Sequence, residues 1–369
     1  MKLIYDARLI ALQYTGLGRY TASLLRALLD SSLHSDLDIE VLLDRACDLK
    51  SMHYLALQPY IQRGVCRVQV IDAPPISFRQ HLVIARWVNR CGADHYFYPH
   101  FDVPLGINVP TSFVVHDLIP LLVDGYVQKF DFAKKLYFKQ MLRHNVATAE
   151  RCYAVSETTR RDILDVTGER WADKIEVAYE GPVLSTVRQE NTIAINQSRP
   201  YLFYIGDRRP HKNMRRIIDL FILLRDRHGY PGKLVLAGSK QNYDFDLDAY
   251  IAKREDIDVL GNVSDADLLD LYASTDALLF LSEYEGFGLP VVEAARFNRK
   301  MVLSDGGSLP EIAPPNACVI SRNLPLEVAA TQVALYLADP VKHDLFEYTR
   351  RYSWEQSVAK IFPYAIQEA

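Results

Sequence analysis

The chain of 369 residues is poor in the features that would place it outside the ordinary globular proteins. It has five cysteines, Cys47, Cys66, Cys91, Cys152 and Cys318, odd in number and scattered. No two of them stand at ligand-like spacing, so they read as reduced thiols of a cytoplasmic protein, without a disulfide framework or a zinc site. No apolar run is long enough to span a bilayer. The opening MKLIYDARLIAL lacks the basic start, apolar stretch and small-residue cleavage site of a secretory signal. There is no excess of positive charge: 42 basic and 46 acidic side chains leave a net charge of -4. A general electrostatic footprint for nucleic acid is therefore not expected, although a local basic face remains open. A complete dinucleotide fingerprint is missing too. TGLGRY at residues 15–20 supplies two glycines, but Thr21 stands where the third belongs.

Short apolar runs alternating with amphipathic segments are what the chain does contain. Strands are expected at 1–5, 40–43, 68–71, 95–98, 112–115 and 151–155, with helices at 20–29, 78–91 and 132–149. Four- or five-residue runs rich in β-branched and aromatic side chains suit strands buried on both faces. The pattern pauses at 174–182 and a polar stretch follows. It then restarts with strands at 201–205, 233–237, 257–260, 277–281 and 301–304, separated by helical segments. Alternation of this kind makes an α/β protein with parallel sheets, here in two halves of similar size. The reading places one domain over 1–182, a second over 183–350, and a terminal helix over 351–369 that crosses back onto the first half. A ligand between the halves would meet the carboxyl ends of both sheets.

Four segments carry candidate chemistry. SEYEGFGLPVVE at 282–293 follows an apolar strand. Gly286 and Gly288 permit close backbone approach, and Pro290 fits the first position of a helix. A glycine loop opening onto a helix start suits an anion. Glu285 and Glu293 would repel a phosphate, but their carboxylates accept hydrogen bonds from sugar hydroxyls. The combination suits a nucleotide sugar; a solvated acidic loop is the plain alternative. YIGDRRPHKN at 204–213 concentrates Arg208, Arg209 and Lys212 between a strand and a helix, where a diphosphate could be held. A solvated charge cluster is the alternative there, with Asn213 a simple helix cap. TGLGRY reads as a glycine turn near an anion. In VVHDLIP at 114–120, His116 and Asp117 end a strand, and a structural histidine is the competing reading.

Taken in order, these segments resemble the retaining "group 1" glycosyltransferases, glycosyltransferase family 4. The matching stretches are DARLIALQYTGLGRY, VVHDLIPL, YAVSETTRRDI, YIGDRRPHKN, LVLAGS, SDGGSLPEI and the 38-residue block from Leu260 to Phe297. The opening and HDLIPL most resemble bacterial polysaccharide and O-antigen mannosyltransferases. The resemblance implies a GT-B fold, two Rossmann-like parallel-sheet domains facing a central cleft. It also implies hexosyl transfer with retention of configuration. By the same resemblance, Gly16 and Gly18 shape a loop against the donor diphosphate and His116 lies near the transferred sugar. Lys212 pairs with the diphosphate, and Val263 meets the base through its backbone. Glu285 binds donor-sugar hydroxyls, Glu293 binds the ribose, and Gly286 and Phe287 to Leu289 line sugar and phosphate. Asp207 stands where many relatives carry arginine, which leaves open whether Arg208 or Arg209 supplies that charge.

The implied partners are a nucleotide-sugar donor, GDP-mannose first, and a glycan or polyprenyl-diphosphate-linked saccharide acceptor. GDP-rhamnose, dTDP- and UDP-sugars remain as alternative donors. No metal cofactor and no nucleic-acid partner are expected. The Asp-x-Asp pairs at 36/38, 244/246, 246/248 and 265/267 read as surface or helix-start residues. An NAD-dependent oxidoreductase and a non-catalytic nucleotide-sugar-binding protein are the readings from other classes. Finally, residues 127–151 hold six basic against two acidic side chains, interleaved with Phe130, Phe132, Tyr137 and Phe138. That pattern suits peripheral contact with an anionic membrane at the inner face of the plasma membrane, or an ordinary amphipathic helix.

Overall fold

The computed structural model describes residues 1–12, 16–47, 52–123, 132–182, 200–238, 246–340 and 344–363. The chain forms two compact units. One comprises Met1–Leu121, Phe130–Val183 and Ser353–Ala369, and the other Leu122–Lys129 and Leu184–Tyr352.

The first unit is built on a seven-stranded parallel sheet in the order β3-β2-β1-β4-β5-β6-β7. Its strands are β1 (Lys2–Asp6), β2 (Asp38–Asp44), β3 (Cys66–Ile71), β4 (His95–Tyr98), β5 (Thr111–Val115), β6 (Arg151–Ala154) and β7 (Ile175–Val177). β4 and β5 are buried along their whole length, as expected of central strands covered on both faces. Ile4, Tyr96, Tyr98, Phe113, Val115 and Leu142 form the middle of the core. β7 is a three-residue edge strand that hydropathy alone does not reveal, because Glu176 interrupts it. Beyond β1, Arg8 and Asp6 form an ion pair that is wholly buried, at 2.7 Å. Arg8 also donates to the Ala73 carbonyl at 2.7 Å, and the Tyr96 hydroxyl donates to Asp6. Removing one partner of such a pair costs about 3–5 kcal/mol, because the other charge stays buried.

The last helix, Trp354–Ile361, is capped by Ser353, whose hydroxyl accepts from the Gln356 amide at 3.3 Å. It lies in this first unit. Trp354 Nε1 donates to the Pro182 carbonyl at 2.9 Å, Tyr153 Oη donates to the Ile361 carbonyl at 3.2 Å, and Phe362 lies against Phe97 and Tyr5.

The second unit has a six-stranded parallel sheet in the order β10-β9-β8-β11-β12-β13. Here β8 is Tyr201–Ile205, β9 Lys233–Ala237, β10 Ile257–Gly261, β11 Ala277–Phe280, β12 Lys300–Ser304 and β13 Cys318–Ile320. Leu202, Phe203, Ile217, Phe221, Leu234 and Leu278 are fully buried at its centre. In each sheet the first strand lies in the interior and chain order reverses beside it, between β1 and β4 and between β8 and β11. In open α/β sheets such switch points leave crevices at the carboxyl ends of the strands where ligands bind.

Candidate active site

In the second unit, the two loops flanking the switch point bring together the residues with most chemistry. β8 delivers the segment from Gly206 to Asn213, and β11 delivers the segment from Ser282 to Leu289. Lys212 ends a short 3₁₀ turn, Pro210–Lys212. Its Nζ lies 2.7 Å and 2.9 Å from the two carboxylate oxygens of Glu285. Glu285 is 7% exposed. Lys212 and Glu285, one expected on phosphate and the other on sugar hydroxyls, thus pair with each other. The ammonium also stands 5.6 Å from the centre of the Phe280 ring.

The Glu285 loop is held by its neighbours. Ser308 donates its amide to the Glu285 carbonyl at 3.0 Å and its hydroxyl to the Phe287 carbonyl at 2.6 Å. Gly307, at a φ of 57°, touches the same loop so closely that a Cβ would meet the Glu285 amide nitrogen at 2.5 Å. Gly288 begins the helix Leu289–Ala295 at a φ of 107°, and a Cβ there would press on Ile312 and Leu309 at 2.9 and 3.0 Å. The backbone conformation favours glycine at Gly288. The helix ends before Arg296. Phe287 is buried and edges onto Tyr352, with ring centres 5.8 Å apart.

Glu293 sits inside that helix, buried, and accepts from the Tyr272 hydroxyl at 2.9 Å. Arg208 is buried, 3.9 Å from Asp248, whereas Arg209 is half-exposed and pairs with Asp207 at 3.1 Å. Asn213 stands just before the helix Met214–His228 in a left-handed conformation, φ 54°, and its side chain makes no cap. The capping expectation fails because a left-handed residue does not hold its side chain over the first turn in the way an extended cap residue does. Val263 follows β10, two strands from β8, and is half-buried.

His211, passed over in the sequence, is a clear reporter of this site. It is buried, and burial followed by the Lys212 and Arg209 charges pushes its pKa down to about 3. The segment therefore keeps its imidazole neutral and concentrates positive charge beside it.

The first unit holds the other candidates. Gly16 and Gly18 do not form a loop. They lie in the first turn of the helix Gly16–Asp30, and a Cβ on Gly18 would meet the Leu12 carbonyl oxygen at 2.7 Å. Close packing against the Arg8–Ala11 turn is what Gly18 serves here. Thr15 and the two residues before it lie outside the described residues. His116 follows β5 directly. Its Nδ1 is 3.1 Å from Glu180 Oε1, its Nε2 is 3.0 Å from the Pro99 carbonyl, and Tyr20 meets the ring edge-on at 4.4 Å. Glu180, a residue the sequence reading treated only as part of a boundary, is buried.

Three comparisons with known proteins bear on the whole chain. Residues 187–352 match the family described as "Glycosyl transferases group 1". The chain is 27% identical over 346 residues to the O-antigen chain mannosyltransferase B of Escherichia coli, covering 88% of this chain and 87% of that protein. It is also 27% identical over 210 residues to the O-antigen chain mannosyltransferase RfbU of Salmonella typhimurium, covering 56% of this chain and 54% of that one. Among solved structures, Anabaena Alr3699/HepE in complex with UDP-glucose superposes with a TM-score of 0.67 at 15% identity, covering 99% of both chains. The lipopolysaccharide outer core galactosyltransferase WaaB gives the same TM-score, identity and coverage. The fold is GT-B. The chain is a glycosyltransferase, and residues 187–352 are its glycosyltransferase group 1 domain.

Proposed function

We propose that this enzyme transfers mannose from GDP-mannose, with retention of configuration, to a glycan or polyprenyl-diphosphate-linked saccharide during cell-surface polysaccharide synthesis in the cytoplasm. The observation that carries the donor site is the Lys212–Glu285 pair at the carboxyl ends of β8 and β11. A nucleotide sugar presents what that pair needs when it separates. Phosphate oxygens take the ammonium, and sugar hydroxyls donate to the carboxylate. As the sugar–phosphate bond breaks, negative charge grows on the leaving diphosphate. Lys212, with Arg208 or Arg209 nearby in sequence, stabilises that charge, and it is preorganised rather than recruited from water. Glu293, held by Tyr272, accepts from the ribose hydroxyls. No resident metal enters the proposal.

The choice of mannose rests on the likeness to the two O-antigen mannosyltransferases. A donor panel tests it. GDP-mannose, GDP-rhamnose, UDP-glucose and dTDP-sugars are offered with a polyprenyl-diphosphate saccharide, and product is followed by mass and by the anomeric proton signal. Transfer from GDP-mannose alone, giving the α-linked product, is expected. Preference for a UDP- or dTDP-sugar overturns the donor, and a β-linked product overturns retention.

A further inference from the structure

In the second unit a cavity of about 560 Å³ opens beside the loops that carry Lys212 and Glu285. One wall is the first turn of the helix Met214–His228, with Arg215 and Arg216. A second is Arg322, just after β13, with Leu326 at the start of the helix Leu326–Ala338. Glu283, in the loop after β11, forms a third. Its amide donates to the His211 carbonyl at 2.7 Å, which ties the two loops together. Lys212 and Glu285 bind each other, and neither lines this cavity. The volume is within the range of small-molecule sites.

Three guanidinium groups meet here, and their hydrogen-bonding capacity is only partly used. Arg216 is half-buried and donates through Nη2 to the Leu324 carbonyl at 2.7 Å. Among the described residues no carboxylate pairs with it. A charge withdrawn from water without a counter-ion is costly until something anionic meets it. Arg215 is exposed, stands over the Tyr250 ring and lies 3.9 Å from Asp219. Asp219 in turn accepts from the Tyr250 hydroxyl, which engages that carboxylate. Arg322 pairs with Asp305 at 2.9 Å and donates to the Glu283 carbonyl at 2.7 Å. Both helices begin without a side-chain cap, one after Asn213 and the other after Pro325. Their first-turn amides add partial positive charge to that of the arginines.

We propose that this cavity is a second ligand site, which binds a small phosphate ester bearing hydroxyl groups, of the hexose phosphate class. Arg216 and Arg215 take the phosphate with the amides of the helix start, a planar donor fork meeting a tetrahedral anion. The exposed Glu283 carboxylate repels a bare anion but accepts from hydroxyls, and the side-chain amides of Asn213 and Asn323 both donate and accept. That mixture fits a phosphate with a polyol attached better than a phosphate alone. A second nucleotide is a poorer fit, since among the described residues no aromatic side chain lines the cavity to stack a base. The inference does not rest on the identity of the donor, and its test does not measure transfer.

Full-length protein is titrated calorimetrically with mannose 6-phosphate, inorganic phosphate and mannose. Each titration is run with GDP, UDP and dTDP present together at saturating concentration, so that the donor site is filled whichever nucleotide it takes. Mannose 6-phosphate should bind under these conditions, inorganic phosphate about tenfold more weakly, and mannose not measurably. Arg216→Gln should lose about tenfold or more in affinity for mannose 6-phosphate, as for a charged hydrogen bond. Because Arg216 also holds the Leu324 carbonyl, Arg215→Gln, an exposed change, is measured beside it and should lose affinity with the wild-type Tm. Glu283→Gln should narrow the gap between mannose 6-phosphate and inorganic phosphate by strengthening the latter. Arg227→Gln, exposed in the last turn of the same helix, should bind as wild type. The proposal fails if mannose 6-phosphate does not bind or is displaced by the nucleotides, or if free mannose or inorganic phosphate binds as tightly. It fails equally if Arg215→Gln and Arg216→Gln both bind unchanged, or if Arg227→Gln matters as much.

Discussion

Glu180 Oε1 and the Pro99 carbonyl oxygen flank the ring of His116, 3.1 Å from Nδ1 and 3.0 Å from Nε2. Both ring nitrogens lie against protein oxygens, so the ring is fixed in place. Tyr20 at 4.4 Å completes the clamp. If His116 positions the transferred sugar, Glu180 positions His116. Glu180→Gln should fold normally and lower kcat by roughly tenfold to a hundredfold, the range expected when a reacting group is displaced slightly. KM for the donor should change little. Steady-state kinetics with a thermal melt checks this, and an unchanged kcat removes Glu180 from the site.

The seat of the terminal helix gives a second expectation. Gly181 touches Trp354 so closely that a Cβ would stand 2.6 Å from its backbone nitrogen. Gly181→Ala must therefore push the helix Trp354–Ile361 away or shift the Glu180 backbone. Overpacking of this kind costs about 1–3 kcal/mol. Denaturant unfolding should show that loss, and hydrogen exchange should rise first in the amides of that helix.

How much of this was legible beforehand depended on what each residue is for. β4 and β5 were visible because buried parallel strands are uniformly apolar, and their bounds differ from the expected ones by at most a residue. β7 was invisible because three residues with a glutamate in the middle carry no period. Lys212 and Glu285 could be named from loop chemistry and family resemblance, but their mutual contact, 73 residues apart in sequence, is a product of strand order. Gly18 was expected in a loop and lies instead in the first turn of a helix, because a glycine that lets a helix pack closely and one that shapes a loop look alike in sequence. Asp6 and Arg8, quoted only as part of a matching stretch, form the buried ion pair of the first unit. His211 gave no signal, since only its burial beside Lys212 and Arg209 distinguishes it.

Acid should destabilise the enzyme before most carboxylates titrate. Burial holds His95 at about 4 and is the main cause that holds His100 and His211 at about 3, with the Lys212 and Arg209 charges adding to it at His211, against an ordinary value of 6.5. Between those values the unfolded chain binds protons that the folded chain refuses. Stability from these groups is therefore fully present above about pH 6.5 and is lost as pH falls toward 4. Each such histidine contributes a slope of up to about 1.4 kcal/mol per pH unit in that window. Tm should drop steadily from pH 7 to pH 5, and less steeply in His95→Gln if that variant folds. A flat Tm over this range would contradict the assignment of these three rings as neutral.

Transfer should survive chelation. The charge on a departing diphosphate is assigned here to Lys212 and an arginine of the same loop, which need no ion to act. Activity measured after exhaustive treatment with EDTA should stay within about twofold of the untreated enzyme, well under the tenfold that 1.36 kcal/mol of lost stabilisation represents. Loss restored by magnesium or manganese would transfer that role to a cation.

The Lys212–Glu285 pair itself supplies the most discriminating test. Each group is largely buried, at 17% and 9% side-chain exposure, and they lie 2.7 Å apart. Removing either alone leaves its partner unpaired in the ligand-free protein. Lys212→Ala should lower kcat by about 100- to 1000-fold, as expected for the loss of a charged contact to a developing oxyanion. Glu285→Gln keeps the shape and one acceptor oxygen, so it should lose less than Glu285→Ala. The donor alters the expectation for stability. In wild type, binding must separate the pair before phosphate and sugar replace the lost contact, whereas in Lys212→Met, Glu285→Gln no separation is needed. The double variant should therefore melt close to wild type without ligand, yet show a much smaller rise in Tm with the nucleotide sugar. If the rise is undiminished, the pair serves the fold and the donor binds elsewhere.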